Sequence, residues 1–249
     1  MNGFEMHGIK HSSISQINKW IDCPAAWVMS YLFNNKGSSS PAMWRGIFTE
    51  QAVADTITGK MKIDKAIKNA LKDFDGKTLF DDGSSAKERA NIEPMTRLAV
   101  EALEPYGQPD FPEDGQHRVS MNAKGENWEL EFMGYIDFKF PDHNLIIDLK
   151  TTMRMPSVMS IGHQRQRAFY QKSNGNAEVK FLYVTPKKCE FKEDGDVNEL
   201  MAEIKIHLTR QEAFLRLGDK EFIASIVPVN RDSFYWRGNE KVRKELFGI

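Results

Sequence analysis

The first hundred positions of the chain carry apolar residues at helical intervals. Ser13 and Gln16 have the spacing of a capping box, and apolar residues then return every three or four positions as far as Leu32. We therefore predict one helix over residues 13–32. After the linker NNKGSSSP, the same periodicity predicts three further helices, which include residues 43–53, 66–71 and 86–103.

The pattern changes from helical to alternating after the segment EPYGQPDFPEDG, residues 104–115. Its three prolines and two glycines are typical of a boundary between elements. Alternation then predicts strands in HRVSMNA, NWELEFMGYIDFKF and NLIIDLKTT, and a further strand at 179–184. Helical spacing returns at 157–172 and 198–217. We expect an α/β (α+β) protein in which helices flank a central mixed β-sheet and the N-terminal region is helical.

The length of 249 residues and the hydrophobic content of 41% are enough for one domain with a buried core. We expect a single domain over residues 1–249, with a helical part at 1–105, a sheet part at 115–190 and a C-terminal helical part at 191–249. No apolar run approaches the roughly 20 residues needed to cross a bilayer, and the N-terminus lacks the apolar segment of a secretory signal. We therefore expect a cytoplasmic protein with no membrane partner.

Three charged residues interrupt the apolar stretch GYIDFKFPDHNLIIDLKTT. Burying an unpaired charge costs several kcal/mol, so Asp137, Asp148 and Lys150 need a reason to be there. Asp148 and Lys150 are two positions apart and share one face of their strand. In the preceding strand, Asp137 points away from the face that carries the aromatic residues.

A four-residue hairpin loop, PDHN, would bring two of these charges face to face. It sets Phe140 opposite Leu145 and, three pairs further on, Asp137 opposite Asp148. Carboxylates on directly opposed residues, with β-carbons about 5 Å apart, repel each other unless a cation lies between them. Oxygen ligands favour Mg2+ or Mn2+ over zinc. The pattern therefore predicts a divalent cation at the two aspartates, with Lys150 projecting toward the same water and phosphate.

An ordinary exposed ion pair is the alternative for this segment. D-x-K triplets are frequent on protein surfaces, and Asp137 could pair with Lys150 or Lys139. Three features of the context favour the cation site: the triplet closes an apolar run, an acid precedes it at hairpin distance, and a basic helix follows.

The net charge of −1 hides an uneven distribution along the chain. Residues 93–148 carry 12 Asp or Glu against 4 Lys or Arg, whereas residues 150–190 carry 8 Lys or Arg against 2 Glu. The small net charge argues against a protein that coats nucleic acid indiscriminately. An acidic block beside a basic one suits a cation site next to a phosphate-binding surface, although charge blocks are as often solvated faces.

The segment QRAFY places Gln166 and Tyr170 four residues apart, on one face of the predicted helix. Both side chains can address one backbone phosphate or one base. His163 lies close to that face, and Arg165 and Arg167 add positive charge for a DNA backbone. The alternative for the histidine and the arginines is a solvated helix surface.

The C-terminal tail RDSFYWRGNEKVRK, residues 231–244, is aromatic and basic. It would either stack on single-stranded bases or close the core. Aromatic clusters usually belong to the core, and we expect the same here.

The segments GYID and LIIDLKTT resemble the core of the PD-(D/E)XK nuclease superfamily, above all its RecB-type and lambda-exonuclease-type members. Three other segments extend the resemblance over roughly residues 12–185. SSISQINKWIDCP is similar to the family's opening helix with its Cys-Pro pair. RGIFTEQAV, with Arg45, Gly46 and Glu50, is similar to a helix that brings an acid to the metal. QRAFY resembles the Gln-x-x-x-Tyr signature of RecB-type enzymes.

This resemblance implies a restriction-endonuclease-like core and a Mg2+-dependent deoxyribonuclease in which Mn2+ substitutes for Mg2+. The implied metal ligands are Glu50, Asp137, Asp148 and the backbone carbonyl of Leu149. The implied catalytic residues are Lys150, Asp137, Asp148, Gln166 and Tyr170. The candidate DNA-binding residues are Arg45, Ser13, Arg154, His163, Arg165 and Arg167.

Two cysteines, Cys23 and Cys189, are too few for a zinc knuckle or a four-cysteine cluster. Some relatives hold an iron–sulfur cluster with the Cys-Pro cysteine and three more. We therefore expect no iron–sulfur cluster in this chain, which is more similar to the cluster-free, phage-type exonucleases. In an intracellular protein both thiols stay reduced.

We expect a DNA exonuclease that acts in DNA recombination, repair or degradation, in the host cytoplasm if the protein is viral. A structure-specific or single-strand DNA endonuclease is the alternative among enzymes. Outside enzymes, the alternative is an accessory DNA-binding protein on a nuclease fold. DNA is the expected partner, and a homo-oligomer or a single-strand annealing or binding protein are further candidates.

Overall fold

The computed structural model describes residues 1–37, 39–79, 83–112 and 115–249. Helices α1 to α11 are Gly3–Met6, Ile14–Asp22, Pro24–Tyr31, Pro41–Ile57, Ile63–Lys77, Ser85–Arg89, Ile92–Leu103, Ile161–Ser173, Val197–Leu215, Lys220–Ile226 and Glu240–Phe247. Strands β1 to β7 are His11–Ser13, His117–Lys124, Glu129–Ile136, Phe138–Phe140, Leu145–Thr151, Glu178–Val184 and Cys189–Lys192. The predicted α+β class is confirmed, because helices flank strands in one mixed fold.

The described strands form two sheets rather than the single central sheet that we predicted. One sheet has the order β1-β3-β2, in which β1 is parallel and β2 antiparallel to β3. The other has the order β4-β5-β6-β7, in which β5 and β6 are parallel and the outer pairs antiparallel. Both sheets are therefore mixed.

The division into two sheets follows from a bend at Asp137. We predicted one long strand through this residue, and that prediction is wrong: β3 ends before Asp137 and β4 begins after it. The Asp137 carboxylate accepts a hydrogen bond from the Leu149 N–H, 2.8 Å away. A side chain in a regular strand stands perpendicular to the sheet, so it reaches a neighbouring backbone N–H only where the ladder is interrupted. As a result, Phe132 of β3 and Phe138 of β4 lie in different cores, although strict alternation along one strand would place them on the same face.

The hairpin between β4 and β5 has the predicted loop and register. The loop PDHN forms a short 3-10 turn and ends at Asn144 with φ 47°, a left-handed conformation that Asn tolerates. Phe140 pairs with Leu145 as predicted. The ladder stops one pair short of Asp137 and Asp148, so the two acids lie where its hydrogen bonding ends.

The four-stranded sheet is covered on both faces. One face packs against α4 and α7 through residues that include Ile147 and Leu149. The opposite face packs against α8, with Ile146 in that core. Because side chains alternate along a strand, Asp148 and Lys150 lie on the α8 face with Ile146.

Several predicted helices have different boundaries in the structure. The helix predicted at 13–32 is divided into α2 and α3 because Cys23 is extended, with φ −151° and ψ 91°, before Pro24. Proline lacks an N–H group and disfavours a helical conformation in the residue before it. The helix predicted at 86–103 is divided into α6 and α7. The pattern did not predict α1, β1, β7, α10 or α11.

The remaining predicted helices lie close to their expected positions. Helix α8 begins at Ile161 instead of residue 157, and the Ser160 side chain caps it by accepting a hydrogen bond from the His163 N–H. Helices α4, α5 and α9 include the predicted segments with small differences at their ends. Within the described ranges, no helix is both long and apolar enough to cross a bilayer.

Candidate active site

Four elements bring the predicted metal ligands and catalytic residues together. The bend after β3 carries Asp137, and β5 carries Asp148 and Lys150. Helix α4 carries Glu50, and α8 carries the Gln-x-x-x-Tyr pair. Hydrogen bonds link all four elements, and the link between Glu50 and Asp137 passes through the side chain of Gln116.

Two glycines allow the helices to approach the sheets. A Cβ added at Gly46 of α4 would lie 3.3 Å from Thr151 Oγ1 at the end of β5. A Cβ added at Gly134 of β3 would lie 2.9 Å from Tyr170 Cε1 and 3.0 Å from Phe169 Cε1, both on α8. Packed carbon atoms prefer separations of about 3.5–4.0 Å, so a side chain at Gly134 would push α8 away.

Asp137 and Glu50 share one hydrogen-bond donor, the amide nitrogen of Gln116. Gln116 Nε2 lies 2.7 Å from Asp137 Oδ1 and 2.6 Å from Glu50 Oε1. The other Asp137 oxygen accepts from the Leu149 N–H. Asp137 is buried and Glu50 is half-buried, so these donors offset part of the cost of removing carboxylates from water.

Asp148 forms the second half of the cluster. It is 1% exposed, and its Oδ2 atom lies 2.5 Å from Lys150 Nζ. Because Oδ2 makes no well-aligned hydrogen bond to any described residue, attraction between the two charges is its main interaction. The other oxygen, Oδ1, accepts from Gln166 Nε2 at 3.0 Å.

The Gln166 amide also connects Asp148 to the sheet of β3. Gln166 Nε2 donates to Tyr170 Oη at 2.8 Å, and the Tyr170 hydroxyl donates to the backbone carbonyl of Tyr135. Gln166 and Tyr170 therefore lie on one face of α8, as their spacing predicts. Through this chain of hydrogen bonds, α8 contacts both sheets at the site.

Burial and mutual repulsion raise the pKa values of the three acids. Burial, together with the negative charge of Asp148, raises the pKa of Glu50 to about 7. Burial, followed by repulsion from Asp148 and Glu50, raises the pKa of Asp137 well above its usual range. Burial also raises the pKa of Asp148, although Lys150 counteracts this effect. Burial alone would lower the pKa of Lys150, but attraction to Asp148 and the other acids raises it, so the ammonium group stays charged.

The backbone carbonyl of Leu149 faces the same cluster. The N–H and C=O groups of one strand residue point to the same side of the strand. Since the Leu149 N–H meets Asp137, the Leu149 carbonyl also lies on that side, beyond the end of the β4 ladder.

The chemistry of this donor set fits a divalent cation with oxygen ligands. Three carboxylates face one lysine in a buried region, and such an excess of negative charge is costly without a compensating cation. In the part of the chain that is described, no three His, Cys, Asp or Glu side chains already stand close enough together to hold a metal ion by themselves. Mg2+ typically uses few carboxylates and keeps several waters, and the Leu149 carbonyl is a further oxygen ligand here.

Two of the predicted DNA-binding arginines are buried and have partners within the protein. Arg45 is 5% exposed, forms an ion pair with Glu88 and reaches the Thr151 carbonyl at 3.4 Å. Arg165 is also 5% exposed and forms two hydrogen bonds to the Glu203 carboxylate, at 2.7 and 3.1 Å. These contacts hold both guanidinium groups inside the protein, and DNA contacts by either arginine stay predictions. Each arginine joins two helices, α4 to α6 and α8 to α9.

His163 lies close to Lys150 but carries no positive charge at neutral pH. Burial, together with the charge of Lys150, lowers the pKa of His163 to about 4. Its Nδ1 atom lies 2.5 Å from Tyr183 Oη, and its ring stacks on Phe181. A DNA contact by His163 would therefore be a neutral hydrogen bond or a ring contact.

The other candidate DNA-binding residues are more accessible. Arg154 is exposed in the loop that follows β5. Arg167 is half-buried and donates to the Val179 carbonyl at 3.0 Å, which attaches α8 to β6. Ser13 caps α2 by accepting from the Gln16 N–H at 3.3 Å, as its spacing predicts. Contacts of these three residues with DNA stay predictions.

Gln116 is the site residue that sequence reasoning missed. It precedes β2 and lies 66 residues from Glu50 and 21 residues from Asp137 along the chain. Its one sequence signal is that it stands at the start of a predicted strand, next to the hairpin that carries Asp137. No periodicity connects it to α4.

Comparisons with known proteins give no family for this chain. No family model matches it, and no curated protein matches it. A solved structure described as "Crystal structure of SSO0001" is 11% identical to it, with a TM-score of 0.43. That match covers 80% of this chain and 76% of the other chain. So distant a likeness assigns neither a family nor a function.

Proposed function

We propose that this protein is a Mg2+-dependent deoxyribonuclease of the PD-(D/E)XK type, with end-directed digestion as its favoured mode. One observation carries the proposal: three buried or half-buried carboxylates lie around one half-buried lysine at the end of a β-hairpin ladder. Surface ion pairs do not need this arrangement, since their charges stay in water. The four sequence motifs support the same reaction class.

Glu50, Asp137, Asp148 and the Leu149 carbonyl would hold the cation. Bound Mg2+ would lower the pKa of a coordinated water and offset negative charge on the phosphate, with Mn2+ as a substitute. Lys150 stays protonated beside Asp148, so it orients the attacking water and stabilises the charge that develops on the phosphate. The Gln166 amide and the Tyr170 hydroxyl fix the Asp148 carboxylate from the α8 side.

An exposed basic residue, Arg154, is suited to contact a DNA backbone. Arg154 is exposed directly after the strand that carries Asp148 and Lys150. Phosphate contacts of this kind position a strand without reading its sequence. We propose DNA as the substrate, a cytoplasmic location, and a role in recombination, repair or DNA degradation. Further copies of this chain, or a single-strand annealing or binding protein, are the partners that this role suggests.

The proposal is tested by replacing Lys150 with Ala. Hydrolysis should fall by about 10²–10³-fold, because the lysine stabilises charge that appears in the transition state. DNA binding should change little. Lys139→Ala is the matched control, since Lys139 lies on the same hairpin and pairs across it with Ile146, outside the acid cluster.

The measurement is digestion of end-labelled linear, circular and single-stranded DNA, with Mg2+ and with a chelator. The parental protein and Lys139→Ala should release mononucleotides or short oligonucleotides from linear DNA in Mg2+, and should release none in the chelator. Cleavage of circular DNA would indicate endonuclease action within the same proposal. Digestion by Lys150→Ala at the parental rate would refute the assigned role of the lysine, and digestion in chelator would refute the metal-dependent mechanism.

A further inference from the structure

A cleft opens directly beside the acid cluster. It has a volume of about 540 Å³ and lies between the start of α2, strand β3 and helix α8. Its lining includes Ser13, Tyr135, His163, Gln166, Tyr170 and Tyr235. Gln166 belongs to both features, because it lines the cleft and its amide donates to Asp148. A molecule in the cleft would therefore contact the same glutamine that fixes a proposed metal ligand.

The chemistry of the lining favours a nucleobase over a phosphate backbone. Among the described residues that line the cleft, none is Asp, Glu, Lys or Arg. His163 of the lining is neutral at neutral pH, because burial and the charge of Lys150 lower its pKa to about 4, so it too offers no fixed charge. Phosphate binding relies mainly on cations, and the start of α2 is the feature of this lining that would also suit a phosphate, whereas bases bind to aromatic faces and neutral polar groups such as those of the other lining residues. The volume suits one or two nucleotides and is too small for a base pair with both backbones.

Two tyrosine rings besides that of Tyr170 line the cleft. Tyr135 is 47% exposed, and Tyr170 donates to its backbone carbonyl. The Tyr235 ring is half-buried, packs on the Phe234 ring with a centroid separation of 4.0 Å, and has Lys19 Nζ 4.9 Å from its own centroid. In the same short 3-10 turn, Trp236 is 2% exposed and anchors the turn in the core. The C-terminal tail thus closes the core with one ring and presents another to the cleft.

We propose that this cleft binds an unpaired nucleotide of the DNA strand that is cut, with its base against the rings of Tyr135 and Tyr235. The inference rests on the proposed nuclease function and makes it more specific: the strand must be single-stranded, or frayed, next to the phosphate at the acid cluster. A blunt duplex end would need to separate before it could occupy the site.

The test measures binding without hydrolysis. The full-length protein is titrated, in a chelator, into a fluorescent short oligothymidylate and into an oligomer of the same length that carries abasic sugars. The parental protein should bind the oligothymidylate more tightly. Tyr135→Ala and Tyr235→Ala should each weaken that binding about tenfold, since base stacking on an aromatic ring is lost, and should leave abasic binding unchanged.

Matched variants distinguish stacking from a structural effect. Tyr135→Phe and Tyr235→Phe keep the ring and should keep parental affinity. Phe222→Ala removes a ring that is 48% exposed on α10, away from the cleft, and should not change binding. Because Tyr135 is exposed on its strand, its Ala variant decides the outcome if Tyr235→Ala does not fold.

The two proposals fail in different ways. If both Ala variants bind oligothymidylate like the parental protein, or lose abasic binding equally, the cleft does not bind a base, even when Mg2+-dependent digestion persists. If the variants behave as expected but no DNA is digested in Mg2+, the cleft inference stands and the nuclease proposal fails.

Discussion

The side chain of Glu50 shows that a negative charge in the acid cluster is unfavourable for folding. The side chain accepts one hydrogen bond from Gln116 and faces the charges of Asp148 and Lys150. Burial and the charge of Asp148 outweigh the attraction to Lys150, so the pKa of Glu50 lies at about 7. At neutral pH without metal, keeping this carboxylate charged therefore costs folding free energy.

This raised pKa predicts how stability depends on pH. Between the ordinary value of 4.5 and about 7, the folded protein holds a proton that the unfolded chain has released, so the free energy of unfolding falls as pH rises through this window. Glu50→Gln removes this effect and should make the metal-free protein more stable than the parental protein above pH 7, by up to about 3 kcal/mol.

The measurement is urea unfolding in chelator across this pH range. Glu126→Gln, an exposed acid in the turn between β2 and β3, is the control and should follow the parental curve. Identical pH dependence for the parental protein and Glu50→Gln would show that Glu50 titrates like a surface carboxyl.

At the scale of helices and strands, Gly134 sets the distance between β3 and α8. A methyl group there would lie 2.9 Å from the Tyr170 ring and 3.0 Å from the Phe169 ring. We expect Gly134→Ala to lower the free energy of unfolding by about 1–3 kcal/mol, because the rings or the helix must shift. It should also reduce the proposed nuclease activity, since Gln166 and Tyr170 would shift relative to Asp148.

Gly76→Ala is the matched control for this prediction. Gly76 lies in α5, and a Cβ there would meet no atom within 4 Å. Alanine has the higher helix propensity, so the control should be unchanged or slightly more stable. Thermal unfolding of both variants compares them directly. Equal stability of the Gly134 variant and the parental protein would mean that α8 does not need this close approach.

The hairpin was predictable at this scale because its determinants are local. A four-residue loop with a left-handed Asn fixes the pairing of Phe140 with Leu145, and the positions of Asp137 and Asp148 follow. The bend at Asp137 was not predictable, since its cause is a hydrogen bond to Leu149 on the next strand. The alternation of apolar and polar residues predicts which face of a strand a residue occupies. It does not predict where the hydrogen bonding between two strands ends.

At the scale of the whole molecule, contacts between residues far apart in the sequence determine side-chain positions that sequence spacing does not predict. Arginine is typical of a DNA-binding surface, but the acidic partners of Arg45 and Arg165 lie 43 and 38 residues away along the chain. No local pattern in the sequence connects Gln116 to Glu50 or to Asp137, which lie 66 and 21 residues away. Motif resemblance selected Glu50 from many surface acids, and the fold places it, through Gln116, beside Asp137.

The central claim is that this cluster binds a divalent cation, and calorimetric titration with Mn2+ tests it most directly. Asp148→Asn removes a buried charge from the proposed metal site, whereas Asp142→Asn changes an exposed acid in the loop of the same hairpin. The parental protein and Asp142→Asn should bind Mn2+ alike at neutral pH, and Asp148→Asn should bind it at least about tenfold more weakly. Absence of Mn2+ binding by the parental protein at millimolar concentration, or equal binding by Asp148→Asn, would contradict the claim.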